Sequence, residues 1–400
     1  MKITSVRVRE VSIPRIYETR AADPKRLQAN DDFGRSRYQI LELFCDDGSV
    51  GLGEISDVDE RMKPLSANEV AELLSEALTG SDLSRWRSSY RAVAHALPEG
   101  LHPELRGLTL FGVEIALLDL VSKRYGAPLY ELLGGLVREK VEVCWVEYLR
   151  GDVPLAAELT ALEAGVRERL EQGFGAFKFK VGEDHERDLA RIARFRQIAG
   201  PKTYLRVDAS GAWSEEEAIA RIAEMAELGI DACETPVEAV SRPVANDHPE
   251  RINADPDGAA QSLARVRAAV AVPIIEHVAD LSDAFSAALI RHRAIDVVNV
   301  IPSQGGGLLR AQRLIHSAET AGTAALLGST VELGPGTAAM AHLALATANV
   351  SVSSDLVGPG LLVDDVCRQP FRYRYGNLFP FERPGLGVEL DEAKMEAWQA

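Results

Sequence analysis

The chemistry of this sequence concentrates in two lysines set two residues apart and in a series of acids that follow strand-like runs. In Phe177-Lys178-Phe179-Lys180 aromatic and cationic residues alternate, so period-two geometry sends both ammonium groups to one face and both rings to the other. Two ammonium groups that close together repel, and partial burial further disfavours charge, so one of them can serve as a base near neutral pH. On an open sheet such a pair is an ordinary solvated face, and the acids change that reading. Arg206-Val207-Asp208, Cys233-Glu234-Thr235-Pro236 and Ile275-Glu276-His277 each bring an acidic side chain to the end of a short apolar run. Three carboxylates converging on one cavity repel severely unless a hard cation neutralises them, and oxygen ligation with room for water is what Mg²⁺ prefers. Asp208, Glu234 and Glu276 are the expected metal ligands. Alternation along the last run means that Glu276 and His277 cannot both face inward without a bulge, and His277 is the alternative ligand or a proton donor.

These residues need a scaffold that places strand ends side by side. From about residue 141 short β-branched or apolar runs alternate with amphipathic helical patterns, as parallel βα units require. The expected strands are Val141–Leu149, Ala176–Val181, Thr203–Ala209, Ala232–Val237, Pro273–Val278, Ile295–Ile301, Ala324–Gly328 and Val352–Leu356. Such a series closes into a barrel whose catalytic residues sit at the C-terminal strand ends. Ser241 to Gly258, rich in Pro, Asn, Asp and His, reads as an extended loop. Ahead of the barrel, residues 2–14 and 38–54 read as an antiparallel meander, and helical patterns cover about 67–79, 83–97 and 107–125. The polar stretch 17–37 reads as a long mobile lid.

Bulk properties narrow the partners. With 44 basic and 60 acidic residues the formal charge is −16, which repels nucleic acid and anionic membranes at long range. Cys45, Cys144, Cys233 and Cys367 lie too far apart for a zinc motif or a disulfide framework and read as small buried hydrophobes. Neither a secretory leader nor an apolar run of about 20 residues is found, so a water-soluble, cytoplasmic protein is expected.

The Lys178/Lys180 pair, Val207-Asp208-Ala209 with Gly211-Ala212-Trp213, and Glu234-Thr235-Pro236 together resemble the enolase superfamily, in its mandelate racemase and muconate lactonizing enzyme branch. The likeness extends to Ala116–Lys123, Pro128–Gly135, Gly305-Gly306-Gly307, Gly328-Ser329 with Glu332, and Asp355 with Gly358-Pro359. It implies a modified TIM barrel, (β/α)7β, over residues 136–359 and an α+β N-terminal capping domain over residues 1–135, completed by 360–400. Residues 17–37 and Glu54 to Asp59 would be specificity loops. The resemblance also implies that Asp208, Glu234 and one residue of the fifth strand hold Mg²⁺, which binds a substrate carboxylate and stabilises the enediolate formed when the α-proton leaves. Lys180 would be the base and Lys178 would lower its pKa. A small-molecule carboxylate partner and self-association into a homo-oligomer are implied as well.

Two departures bear on the reaction. Ile301 stands where the muconate branch carries a lysine opposite the pair, and Ala324–Gly328 contains no histidine in place of the one used by the mandelate racemase branch. Two-sided proton transfer normally needs two acid/base groups. A lyase (dehydratase) or cycloisomerase acting on a hydroxy acid or acid sugar is therefore the leading expectation. A racemase or epimerase would need His277, Arg35, Arg37 or Asp59 as the second group, and a catalytically silent ligand-binding protein is the third reading.

Overall fold

A computed structural model describes residues 1–18, 34–58, 60–150, 153–237, 255–278, 283–371 and 373–400. Three strands, β1 (Ile3–Pro14), β2 (Arg35–Cys45) and β3 (Val50–Ile55), form an antiparallel sheet that packs on the long helix α3 (Pro103–Tyr125). Of the stretch 17–37 expected as a lid, Arg35 and Arg37 belong to β2, and 19–33 lie outside the described residues. Strand β3 can lie directly on α3 because it presents glycine there. A Cβ on Gly53 would stand 2.1 Å from Gly112 O, and one on Gly51 would stand 2.4 Å from Ala116 O. Helix α1 (Ala67–Leu78) begins at a Ser66/Glu69 capping box, and α3 stops at Gly126, whose left-handed backbone (φ 65°) a side chain would disfavour. The polar Asp119 in the middle of α3 is fully buried, and it accepts hydrogen bonds from Leu52 N (2.9 Å), Leu386 N (2.8 Å) and Lys123 Nζ (2.7 Å). One carboxylate thus ties the meander, the helix and the C-terminal segment together.

The second sheet is parallel, in the order β11-β10-β9-β8-β7-β6-β5. After the short β4 (Val141–Glu142), its strands are β5 (Cys144–Glu147), β6 (Ala176–Lys180), β7 (Tyr204–Asp208), β8 (Ala232–Glu234), β9 (Ile274–His277), β10 (Val297–Val300) and β11 (Ala324–Leu327). Helices such as α6 (His185–Ala199) and α10 (Leu308–Thr320) separate them, which makes the expected α/β barrel of TIM type. Val352–Leu356, expected as the eighth strand, is not a strand. Among the described residues one parallel bridge, Val143 with Ser354, falls within it, and a second, Ala325 with Val350, lies just ahead of it. Hydrogen bonds from Cys144 N to Ser354 O (2.8 Å) and from Asp355 N to Leu327 O (2.8 Å) carry it across the gap between β5 and β11. The expected loop Ser241–Gly258 falls largely outside the described residues, but its end is corrected: Asp255 caps a helix that begins at Pro256. All four cysteines are buried and unbridged.

Candidate active site

Inward-facing side chains of the barrel stack in layers. Ala232, Ile275, Val297 and Leu326 form an apolar floor with Tyr204, Ala324 and Val352. Above it the period-two alternation of β6 and β7 places Lys178 and Arg206, then Lys180 and Asp208, at matching heights, because Lys178 pairs with Arg206 and Lys180 with Asp208 in the parallel register. The phenylalanines of the same run point the other way, where Phe177 and Phe179 both stack edge-on against Phe195 of α6.

The two lysines have different surroundings. Lys178 is 4% exposed and lies 2.9 Å from Asp208 Oδ2, 2.9 Å from Glu234 Oε1 and 3.0 Å from Asp355 Oδ2. Burial alone would push its pKa down, but these three carboxylates more than offset that and hold it well above the ordinary lysine value. Lys180 is more open. It donates to Asp208 Oδ2 (2.6 Å) and approaches Ser210 Oγ (3.4 Å), and its pKa is lowered, by burial first and by the charge of Lys178 as well, against the pull of Asp208. The expected effect of Lys178 on its neighbour is therefore present, with desolvation as the larger cause.

Asp208 and Glu234 stand in register on adjacent strands, both buried. After each the backbone turns left-handed at a residue other than glycine, Ser210 (φ 53°) and Thr235 (φ 41°), a strain of about 1–3 kcal/mol each that persists where surrounding bonds fix it. Ser210 N donates to Asp208 Oδ1 (2.8 Å), and Thr235 N donates to Ile275 O (2.9 Å). The third expected ligand is not brought to this pair. Glu276 pairs with Val298, which packs in the layer between sheet and helices, and it accepts from Thr235 Oγ1 (3.3 Å). His277 pairs with Asn299, and Asn299 Nδ2 reaches Glu234 Oε1 at 2.7 Å inside the barrel. Strand parity thus corrects the preference for Glu276: His277 is the residue of β9 on the cavity side, and no bulge brings both inward. Among the described residues no group of three His, Cys, Asp or Glu side chains converges as a ready metal cage.

Period-two alternation from Asp208 could also have singled out Arg206. This fully buried guanidinium donates to Ser353 O (2.9 Å), pairs with Asp355 and lies 3.7 Å from Glu234 Oε2. Asn299 had no comparable signal, because a lone Asn in an apolar run shows its role only once the barrel closes. Glu332 accepts from Ser303 Oγ (2.6 Å) and Thr330 N (2.9 Å), close to Glu54 of β3. Arg37 pairs with Glu10 and Glu60, and Arg35 donates to Ser12 O (2.7 Å), so both are engaged on the meander; Asp59 lies outside the described residues.

A parallel α/β barrel with lysines and carboxylates at adjacent strand ends, beside an α+β unit, is the construction of an enzyme that handles protons on a small molecule. Residues 161–247 and 254–394 match the family profile described as enolase C-terminal domain-like, and residues 15–134 match the mandelate racemase / muconate lactonizing enzyme N-terminal domain. The chain therefore belongs to the enolase superfamily, in the mandelate racemase/muconate lactonizing enzyme family, and is an isomerase or lyase of that family. It is 30% identical over 380 residues to muconate cycloisomerase 1-1 of Acinetobacter lwoffii, covering 93% of this chain and 91% of that one. To the L-Ala-D/L-Glu epimerase of Bacillus subtilis it is 27% identical, covering 87% and 88%. Among solved structures, the muconate lactonizing enzyme of Pseudomonas fluorescens complexed with muconolactone superposes with a TM-score of 0.81 at 26% identity, covering 100% of this chain and 99% of that one. Members of the family are metal-dependent, typically on Mg²⁺, and act on small carboxylates. Among the described residues no helix is long and apolar enough to cross a membrane.

Proposed function

We propose that this chain removes the α-proton of a small carboxylate with Lys180 as the base, in an elimination or a cycloisomerisation. The observation that carries this reading is the division between the two lysines. Lys178 is enclosed by three carboxylates, whereas the side chain of Lys180 keeps 16% exposure at the mouth and a lowered pKa. A base must meet substrate and must be able to lose its proton, and only Lys180 satisfies both.

The carboxylate pair fits Mg²⁺. Glu234 Oε2 and Asn299 Oδ1 are buried oxygens that accept no hydrogen bond among the described residues, Asp208 faces the same cavity, and all are the hard donors this ion selects. Asp208 and Glu234 would hold it, with His277 the nearest position of β9 on the cavity side and water or substrate oxygens completing the shell. When bound, Mg²⁺ supplies positive charge where the carboxylate gains negative charge. The chain's own residues do the remainder: Lys178 fixes the two acids, Asn299 orients Glu234, and Lys180 takes the proton.

The similarity to an epimerase raises a two-sided reaction, but Ile301 lines the wall opposite the lysines, and Gly328 is packed so closely there that a Cβ would stand 2.6 Å from Ile301 Cγ1. One-sided chemistry is favoured. In this reading residues 1–135, completed by 360–400, cap the barrel of residues 136–359, and the protein works in the cytoplasm as a homo-oligomer. The test is proton–deuterium exchange followed by NMR in D₂O with Mg²⁺ and a panel of hydroxy acids, acid sugars and acylated amino acids. Exchange at the α-carbon of one enantiomer, lost with EDTA and in Lys180→Ala, is expected. Exchange that survives in Lys180→Ala would reject Lys180 as the base.

A further inference from the structure

Removing the α-proton does not by itself expel a β-hydroxyl, which leaves readily only when protonated. The far wall supplies no acid at Ile301, whose strand lies four places from β6 around the sheet. On the lysines' own wall stands Tyr148. Along the first barrel strand Cys144, Val146 and Tyr148 alternate with Trp145 and Glu147, which bond to each other on the outer side through Trp145 Nε1 and Glu147 Oε1 (3.0 Å). Val146 pairs with Lys178, so the same alternation carried one residue past the strand end at Glu147 sets Tyr148 level with Lys180, with its phenol within the fields of Arg15, Lys178, Asp355 and Asp57. One buried guanidinium fixes that match: Arg191 of α6 donates to Lys180 O (2.7 Å) and to Tyr148 O (3.2 Å). The half-buried phenol makes no hydrogen bond among the described residues. Burial pushes its pKa up, against the nearby charges of Arg15 and Lys178, so it keeps its proton at neutral pH.

We infer that Tyr148 is the general acid of a syn β-elimination, giving its phenolic proton to the leaving hydroxyl on the face from which Lys180 takes the α-proton. This rests on the α-proton reading above and deepens it to a substrate class, carboxylic acids with a hydroxyl on the β-carbon. Lys180 Nζ accepts the α-proton, the C–H electron pair becomes the new C=C bond, and the C–O bond breaks as the oxygen takes the phenolic proton and departs as water. The proton on Lys180 passes to the phenolate on the same face and both groups are reset. No oxidant or reductant is needed.

The experiment compares wild type, Tyr148→Phe and Lys180→Ala, with Mg²⁺, on pairs of carboxylates that share a carbon skeleton and carry either a 3-hydroxyl or a 3-fluoro group. Fluoride departs without needing a full proton. Tyr148→Phe should lose water elimination by about a hundredfold or more while α-proton exchange and fluoride elimination stay within about threefold of wild type. Lys180→Ala should lose all three. Water elimination retained in Tyr148→Phe overturns the inference, and so does a parallel fall of exchange and both eliminations, which would show only a structural role. A wild-type protein that exchanges α-protons but eliminates nothing also overturns it while leaving the α-proton reading intact. A wild type that exchanges nothing on the panel rejects both.

Discussion

Lys178 and Lys180 are two residues apart and share a face, yet the barrel assigns them different work. Three carboxylates close to an enclosed ammonium group make Lys178 a structural counter-ion, and removing it would leave buried charges unpaired. Lys178→Met should therefore lower the stability of the metal-free protein by about 3–5 kcal/mol, measured as a shift of the urea midpoint in EDTA. Lys180→Met, at a more open position, should cost less than about 1 kcal/mol in the same titration while removing proton exchange. The lysine pair was legible in the sequence because alternation is a local property. The orientation of Glu276 was not legible, because parity on β9 depends on which residues of β10 it meets, and nothing within Ile275-Glu276-His277 states that Val298 will stand beside the acid and Asn299 beside the histidine. Tyr148 carried no local mark either, since its significance comes from Arg191 holding two strand ends level.

Between elements, the meander and the barrel meet through polar contacts as well as apolar ones. Glu54, from β3, accepts hydrogen bonds from Leu333 N and Gly336 N (both 2.8 Å), at the start of the helix Gly334–Ala346, and from Ser56 Oγ (2.8 Å). Burial pushes its pKa up to about 8, against the pull of those donors. Tyr38 of β2 adds a bond from its hydroxyl to Val331 O (2.6 Å). The contact of β3 with α3 tolerates no side chain at Gly53, so Gly53→Ala should destabilise the protein by ~2 kcal/mol or more, because the obstructing atom is backbone and cannot swing away. Thermal unfolding with and without the substitution measures this. Helix periodicity made α1 and α3 legible to within a few residues. The eighth barrel segment was overstated because its place after the seventh strand suits a strand, while among the described residues a single bridge, Val143 with Ser354, falls within it.

For the molecule as a whole, one buried imidazole should set part of the acid limit. His342 accepts from Tyr130 N (3.2 Å) at Nδ1, and its Nε2 lies 3.2 Å from Leu386 O, so it joins three distant parts of the chain as the neutral ring. Burial lowers its pKa from 6.5 to about 4. Above pH 6.5 the ring is neutral whether the chain is folded or not. As pH falls from 6.5 to 4 the unfolded chain takes up a proton that the folded one refuses, so stability drains over that window by ~3 kcal/mol. Denaturant titrations at pH 7, 5.5 and 4.5 should show this slope, and His342→Gln should flatten it while lowering stability at pH 7.

The barrel's last gap is spanned by a segment whose hold includes Lys178 and Arg206 on Asp355 and Arg206 on Ser353 O. Closure and chemistry therefore use the same atoms, and this gives the site an unequal evolutionary exposure. A descendant that abandoned the reaction could discard Lys180 or Tyr148 freely, because neither secures the ring of strands. Lys178, Arg206 and Asp355 would persist in it as relics of a lost activity, kept by selection for folding. Retention of those three residues in a distant homologue thus says that its barrel closes in the same way, and only Lys180 beside them speaks for the reaction.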